Sequence, residues 1–227
     1  MKLVSLQLVL QTAILTIVIS AARQADAADT AAHSRRGLQA RTEYRGPQAK
    51  IEYCTDCHGS SGRGYYGYVA MPRLAGQPPD YLENQLRAFA DRSRDRVFFI
   101  NMSKVHGLGP EMRTALATHF RDLDPGPVGG GPKNLVATGK TIYEEGVPEA
   151  DIPACAACHG PEAKGKEAIP RLAGQLYPYI VKELTNWSQE RGQGPAKDDR
   201  SATMASIAQS LTQPQIAALA AYLNYLK

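Results

Sequence analysis

Hydrophobic residues recur along the chain in two rhythms. From Leu3 to Ala22 they form a nearly unbroken run, interrupted only by Ser5, Gln7, Gln11, Thr12, Thr16 and Ser20. Further on they fall at helical spacing: Leu82, Leu86 and Phe89, then Ile180, Leu184 and Trp187, each set lining one face of a helix. A second pair of stripes follows, with Leu108, Leu116 and Phe120 in one half and Leu211, Leu219 and Leu223 in the other. The closing helix has the fullest stripe, Ile216, Leu219, Ala220, Leu223 and Leu226, and Thr212 with Gln215 forms a capping box ahead of it. Asp80 with Glu83 gives the same start signal for the middle helix of the first half, and Pro178 stands where the first turn of its counterpart tolerates a missing amide. No segment alternates convincingly as a strand, so the pattern predicts an all-α protein.

The two halves are copies. Pro72-Arg73-Leu74-Ala75-Gly76-Gln77 recurs as Pro170-Arg171-Leu172-Ala173-Gly174-Gln175, and the offset of 98 residues continues through Tyr81 and Tyr179 to Phe89 and Trp187. Between them, Asp124-Pro125-Gly126-Pro127-Val128-Gly129-Gly130-Gly131-Pro132 cannot hold a regular helix. The expected organisation is a first domain over 47–122, a linker over 123–135 and a second domain over 136–227.

The N-terminal run ends before Ala25-Asp26-Ala27, a small-x-small site, so residues 1–27 read as a secretory signal and 28–46 as an N-terminal extension. An uncleaved anchor is the alternative, since about 20 apolar residues can span a bilayer. Either way the rest of the chain is expected outside the cytoplasm, in the periplasm. With 26 basic and 22 acidic side chains the formal charge is +4, and removing Lys2, Arg23 and Asp26 with the signal leaves +3. So small a balance gives no warrant for nucleic-acid binding. Arg35, Arg36, Arg41 and Arg45, and Arg92, Arg94 and Arg96, cluster locally and read as solvated faces, with partner docking as the alternative.

All four cysteines fall in two identical patterns, Cys54-Thr55-Asp56-Cys57-His58 and Cys155-Ala156-Ala157-Cys158-His159. Disulfides or a thioredoxin-like redox pair would account for the thiols in an exported chain, but neither predicts the histidine. Zinc ribbons bring their thiol pairs within about 15 to 20 residues, whereas these lie in opposite halves. Covalent haem accounts for every element: two thiols three positions apart add to the two vinyl groups of one porphyrin, and the adjacent histidine reaches the iron. Four propionates from two haem c groups would bring the mature chain to about neutral.

The opposite face of each iron calls for a second ligand, and thioether sulfur suits electron transfer because it favours ferrous iron. Met102 lies 44 residues after His58 and Met204 lies 45 after His159. Met71 and Met112 align with Ile169 and Gln215, which no ligand position would tolerate. His106, four residues beyond Met102, remains a rival for the first site, as does an open position.

With these motifs in place the chain resembles the dihaem cytochrome c4 group, two fused class I cytochrome c domains, over nearly all of its mature length. The resemblance implies that the Pro72 and Pro170 carbonyls orient His58 and His159, and that Leu74 and Leu172 pack on the porphyrins. It implies single-electron transfer between membrane or periplasmic redox proteins, from a quinol-oxidising complex towards a terminal oxidase, with no small-molecule substrate. The chain departs from the group in its long N-terminal stretch and in Phe98-Phe99-Ile100-Asn101-Met102, which lacks the usual methionine-rich run. Rival expectations are the haem subunit of a dehydrogenase complex such as a flavocytochrome c, a dihaem peroxidase with an open iron position, and a colourless disulfide-bonded binding module.

Overall fold

A computed structural model of the protein describes residues 46–91, 93–94, 107–191 and 201–227. The all-α expectation holds. The first copy contributes α1 (Pro47–His58), α2 (Pro79–Ala90) and α3 (Pro110–Arg121). The second contributes α4 (Val136–Glu145), α5 (Ala156–His159), α6 (Tyr177–Thr185), α7 (Trp187–Glu190), α8 (Ser201–Ser210) and α9 (Gln213–Tyr225). One small departure is an antiparallel hairpin, β1 (Tyr65–Tyr66) with β2 (Ala70–Met71). It occupies the first copy's longer connection: Pro72 follows His58 by 14 residues, whereas Pro170 follows His159 by 11.

Helix starts follow local chemistry. Ahead of α9, the Gln215 amide donates to Thr212 Oγ1 at 3.4 Å and the Thr212 amide donates to Gln215 Oε1 at 2.8 Å, completing the expected box. The box expected from Asp80 and Glu83 does not form. Pro78 and Pro79 set the entry to α2, no side chain caps it, and Asp80 lies within its first turn, where a carboxylate favours the positive end of the helix dipole.

Two apolar cores result. Ile142, Tyr143, Ile180, Leu211, Ile216, Leu219 and Leu223 fill the second copy, with the α9 stripe packed against α4 and α6. Leu82, Leu108, Leu116, Ala117 and Phe120 fill the first. Gly139 lets α4 and α9 cross closely, since a Cβ there would overlap the Ala218 carbonyl. The linker is fixed by its own backbone: the Gly131 amide donates to the buried Asn224 Oδ1 at 3.0 Å, and the hydroxyls of Tyr225 and Tyr66 donate to the Gly131 and Gly129 carbonyls. Lys50–Lys227, which holds both cores, is one compact unit.

Candidate haem sites

In the second copy the four-residue helix α5 ends at His159, whose amide donates to the Cys155 carbonyl at 3.0 Å. One helical turn therefore places Cys155 and Cys158 on the same side with the histidine directly after them. His159 is buried, and its Nδ1 lies 3.0 Å from the Pro170 carbonyl. A carbonyl only accepts, so Nδ1 carries the proton and Nε2 keeps its lone pair. Burial lowers the His159 pKa, the Pro170 contact opposing it, so the ring is neutral at neutral pH, the form that binds metal. Cys155, Cys158, His159, Leu172, Met204 and Leu211 line one cavity of about 350 Å³. Thiols, imidazole and thioether thus face a single, largely apolar space, a donor set and wall that fit haem.

The first copy repeats the proximal arrangement. Cys54, Cys57 and His58 form the last turns of α1, and His58 Nδ1 lies 2.8 Å from the Pro72 carbonyl. Burial lowers the His58 pKa, with the Pro72 contact opposing and the Arg94 charge assisting. Leu74 packs on the first core and Leu172 on the second. Met102 and His106 lie outside the described residues, and Met112, one of the discounted methionines, packs against the first core. Before any haem is attached, burial pushes the Cys54 and Cys155 thiols up to about 11. A thioredoxin-like site requires the reverse, a thiolate stabilised at neutral pH.

Between the cores lie polar groups that belong to neither haem motif. The repeated hexapeptides face each other. The Arg73 amide donates to Gln175 Oε1 at 2.8 Å and the Gln175 side chain returns a bond to the Arg73 carbonyl at 3.2 Å; the Arg171 amide and Gln77 do the same at 2.9 and 2.8 Å. Gly76 and Gly174, both at positive φ, leave room for the opposite arginine, since a Cβ would press on its guanidinium at 3.0–3.1 Å. Both arginines also reach Asp124 of the linker. Deeper in, Glu183 accepts from Arg191 Nε at 2.7 Å and from Arg94 at 3.3 Å. Arg94, expected on a solvated face, is buried in this cluster instead, because Gln85 of α2 and Tyr179 and Glu183 of α6 take its guanidinium; Arg92 and Arg96 lie outside the described residues. Burial alone would raise the Glu183 carboxyl, but Arg191 and then Arg94 outweigh it and hold it down to about 2.

The family model for cytochrome c matches residues 136–227. A cytochrome c-552 of Acidithiobacillus ferridurans is 39% identical over 176 residues, 76% of this chain and 73% of its own. A thiosulfate dehydrogenase electron acceptor of Thiomonas intermedia is 37% identical, covering 75% of this chain and 76% of its own. The solved structure of cytochrome c4 from Acidithiobacillus ferrooxidans superposes with a TM-score of 0.62 at 34% identity, covering 76% of this chain and 98% of that one. The doubled haem motif, the histidines held by proline carbonyls and these likenesses converge: the chain belongs to the dihaem cytochrome c4 family and carries two haem c groups.

Proposed function

We propose that this dihaem electron-transfer protein works in the periplasm as a carrier between a membrane or periplasmic donor and acceptor, each copy forming one haem-binding domain, 47–122 and 136–227, joined by 123–135. Cys54 and Cys57, and Cys155 and Cys158, hold the haems covalently. His58 with Met102 and His159 with Met204 ligate the irons, and Pro72, Leu74, Pro170 and Leu172 support them. When bound, each haem supplies a one-electron ferric/ferrous couple. The chain's part is to fix Nε2 through the Nδ1 contact, to keep the imidazole neutral and to exclude water with apolar walls. The observation that carries this reading is His159 and Met204 lining the same cavity as Cys155 and Cys158.

Among the described residues no helix is long and apolar enough to cross a membrane, in keeping with an exported carrier or one tethered only through residues 1–27. Met102 and Met204 would each supply a thioether to an iron and so leave no open position for peroxide, which is why the carrier reading needs no substrate to be transformed. The test is stoichiometric reduction of the purified holoprotein by a chemical one-electron donor, followed by complete reoxidation by a second cytochrome without peroxide turnover. Turnover of peroxide would overturn it.

The name of the Thiomonas relative favours one donor class in particular, a dehydrogenase that oxidises a sulfur oxyanion. Mixing the oxidised holoprotein with a thiosulfate dehydrogenase and thiosulfate tests this. Rapid appearance of the ferrous spectrum supports it, and a spectrum unchanged beyond the enzyme-free control rejects it.

A further inference from the structure

Between α2 and α6 the buried groups follow the internal duplication, with the arginines one residue out of its register. Tyr81 corresponds to Tyr179 and Phe89 to Trp187, and each of those last two rings carries a guanidinium at 4.7 Å, Arg94 over Phe89 and Arg191 over Trp187. The arginines then cross: Arg94 bonds Gln85 of its own copy and Glu183 of the other, while Arg191 bonds Glu183 of its own copy and Gln85 of the other, both crossing bonds measuring 3.3 Å. Gln85 and Glu183 are the same position, 98 residues apart. One is a neutral amide, the other an ion. A two-fold cluster thus contains a single built-in charge difference, and it stands in the wall of the cavity shared by Cys155, His159 and Met204.

We propose that Glu183 sets the relative potentials of the two haems, its carboxylate lowering the reduction potential of the second haem relative to the first. An anion favours the ferric state, which carries one more positive charge, and its effect falls with distance. Glu183 is 7% exposed, so water and salt screen it weakly. Gln85, the matched position, lines the same cavity without a charge, and the Arg94 and Arg191 cations that pair with Glu183 line it too, so removing the carboxylate alone leaves them uncompensated beside the second haem. The difference arises from one carboxylate and not from the ligands, which the two sites share on the reading above.

The experiment is a redox titration of the holoprotein followed by NMR, in which the methyl resonances of each haem report its potential separately. Glu183→Gln, which keeps the shape and an acceptor oxygen, is expected to raise the second potential more than the first. Gln85→Glu, which adds a second carboxylate to the same cavity wall, is expected to lower the second more than the first. An interface role alone would move the melting midpoint and leave the difference between the potentials unchanged. Equal shifts, no shift, or a larger shift at the wrong haem would overturn the proposal; should Glu183→Gln fail to fold, Gln85→Glu decides it. The inference rests on two bound haems, which intact mass of the same samples establishes independently.

Discussion

Gln77 and Gln175 occupy one position in the two copies, and each spans the backbone amide and carbonyl of the other copy's arginine. A glutamine side chain carries a donor and an acceptor side by side, so it pairs with an extended backbone as a neighbouring strand would. Leu176 adds a further amide bond to Gln175 Oε1 at 3.0 Å. Replacing Gln175 with Leu leaves the Arg73 N–H and C=O buried without partners, at roughly 1–3 kcal/mol for each orphaned group. Gln175→Leu is therefore expected to destabilise the holoprotein by about 2–6 kcal/mol in a denaturant titration. Both haems should remain attached, since neither glutamine touches the thiols or histidines.

The role of Glu183 gives a pH dependence of definite sign. Its folded-state pKa is held down to about 2 from 4.5, chiefly by Arg191 and Arg94 acting against burial. The unfolded chain therefore binds the proton more readily, and the carboxylate's contribution is fully present above about pH 4.5 and lost as the pH falls towards about 2. The amount at stake is on the order of 3 kcal/mol. Unfolding midpoints between pH 5 and pH 2 should decline more steeply in the wild type than in Glu183→Gln, which has no proton to gain.

Gly139 sets two effects against each other. In a helix interior, alanine is favoured over glycine by up to about 1 kcal/mol. Here, however, the new Cβ would meet the Ala218 backbone carbonyl of α9, and backbone cannot swing aside as a side chain does. Overpacking costs about 1–3 kcal/mol, so Gly139→Ala is expected to destabilise the second copy by roughly 1–2 kcal/mol net. Thermal unfolding monitored at the second haem should show the loss.

Much of this was legible in the sequence because it rests on periodicity and on repetition. The α9 stripe, the Thr212–Gln215 box and the two thiol–histidine motifs each need only local information. The hairpin at Tyr65 was not legible, since two-residue strands leave too short an alternation to register. Nor was the α2 start: Asp80 and Glu83 have the right spacing for a box, but consecutive prolines moved the helix start to Pro79. Least legible of all is the face between the copies. Arg94 belongs to a sequence run that looks solvated, and only the tertiary bonds to Gln85, Tyr179 and Glu183 hold it buried. A signal was available in the repeat itself, since both arginines and both glutamines of the hexapeptide are retained although neither binds haem, and the matched position 85/183 changes from amide to acid.

Met204 provides a spectroscopic prediction on the second site. Methionine sulfur bonded to ferric haem gives a weak far-red absorption, and Met204→Ala should remove about half of it while lowering the second haem's potential, because thioether ligation favours ferrous iron. Met102→Ala should remove the other half, and His106→Ala should leave the band intact. A band insensitive to Met102→Ala but altered by His106→Ala would make the first site bis-histidine.

Two haems, each held by its own thiol pair, underlie every property derived above. Intact mass of the mature holoprotein, taken together with that of the Cys155→Ala, Cys158→Ala double variant, measures this directly. The wild type should exceed its polypeptide mass by two haem groups, and the double variant by one, retained at Cys54 and Cys57. A wild-type mass equal to that of the bare polypeptide, after export in a host with haem-attachment machinery, would contradict it.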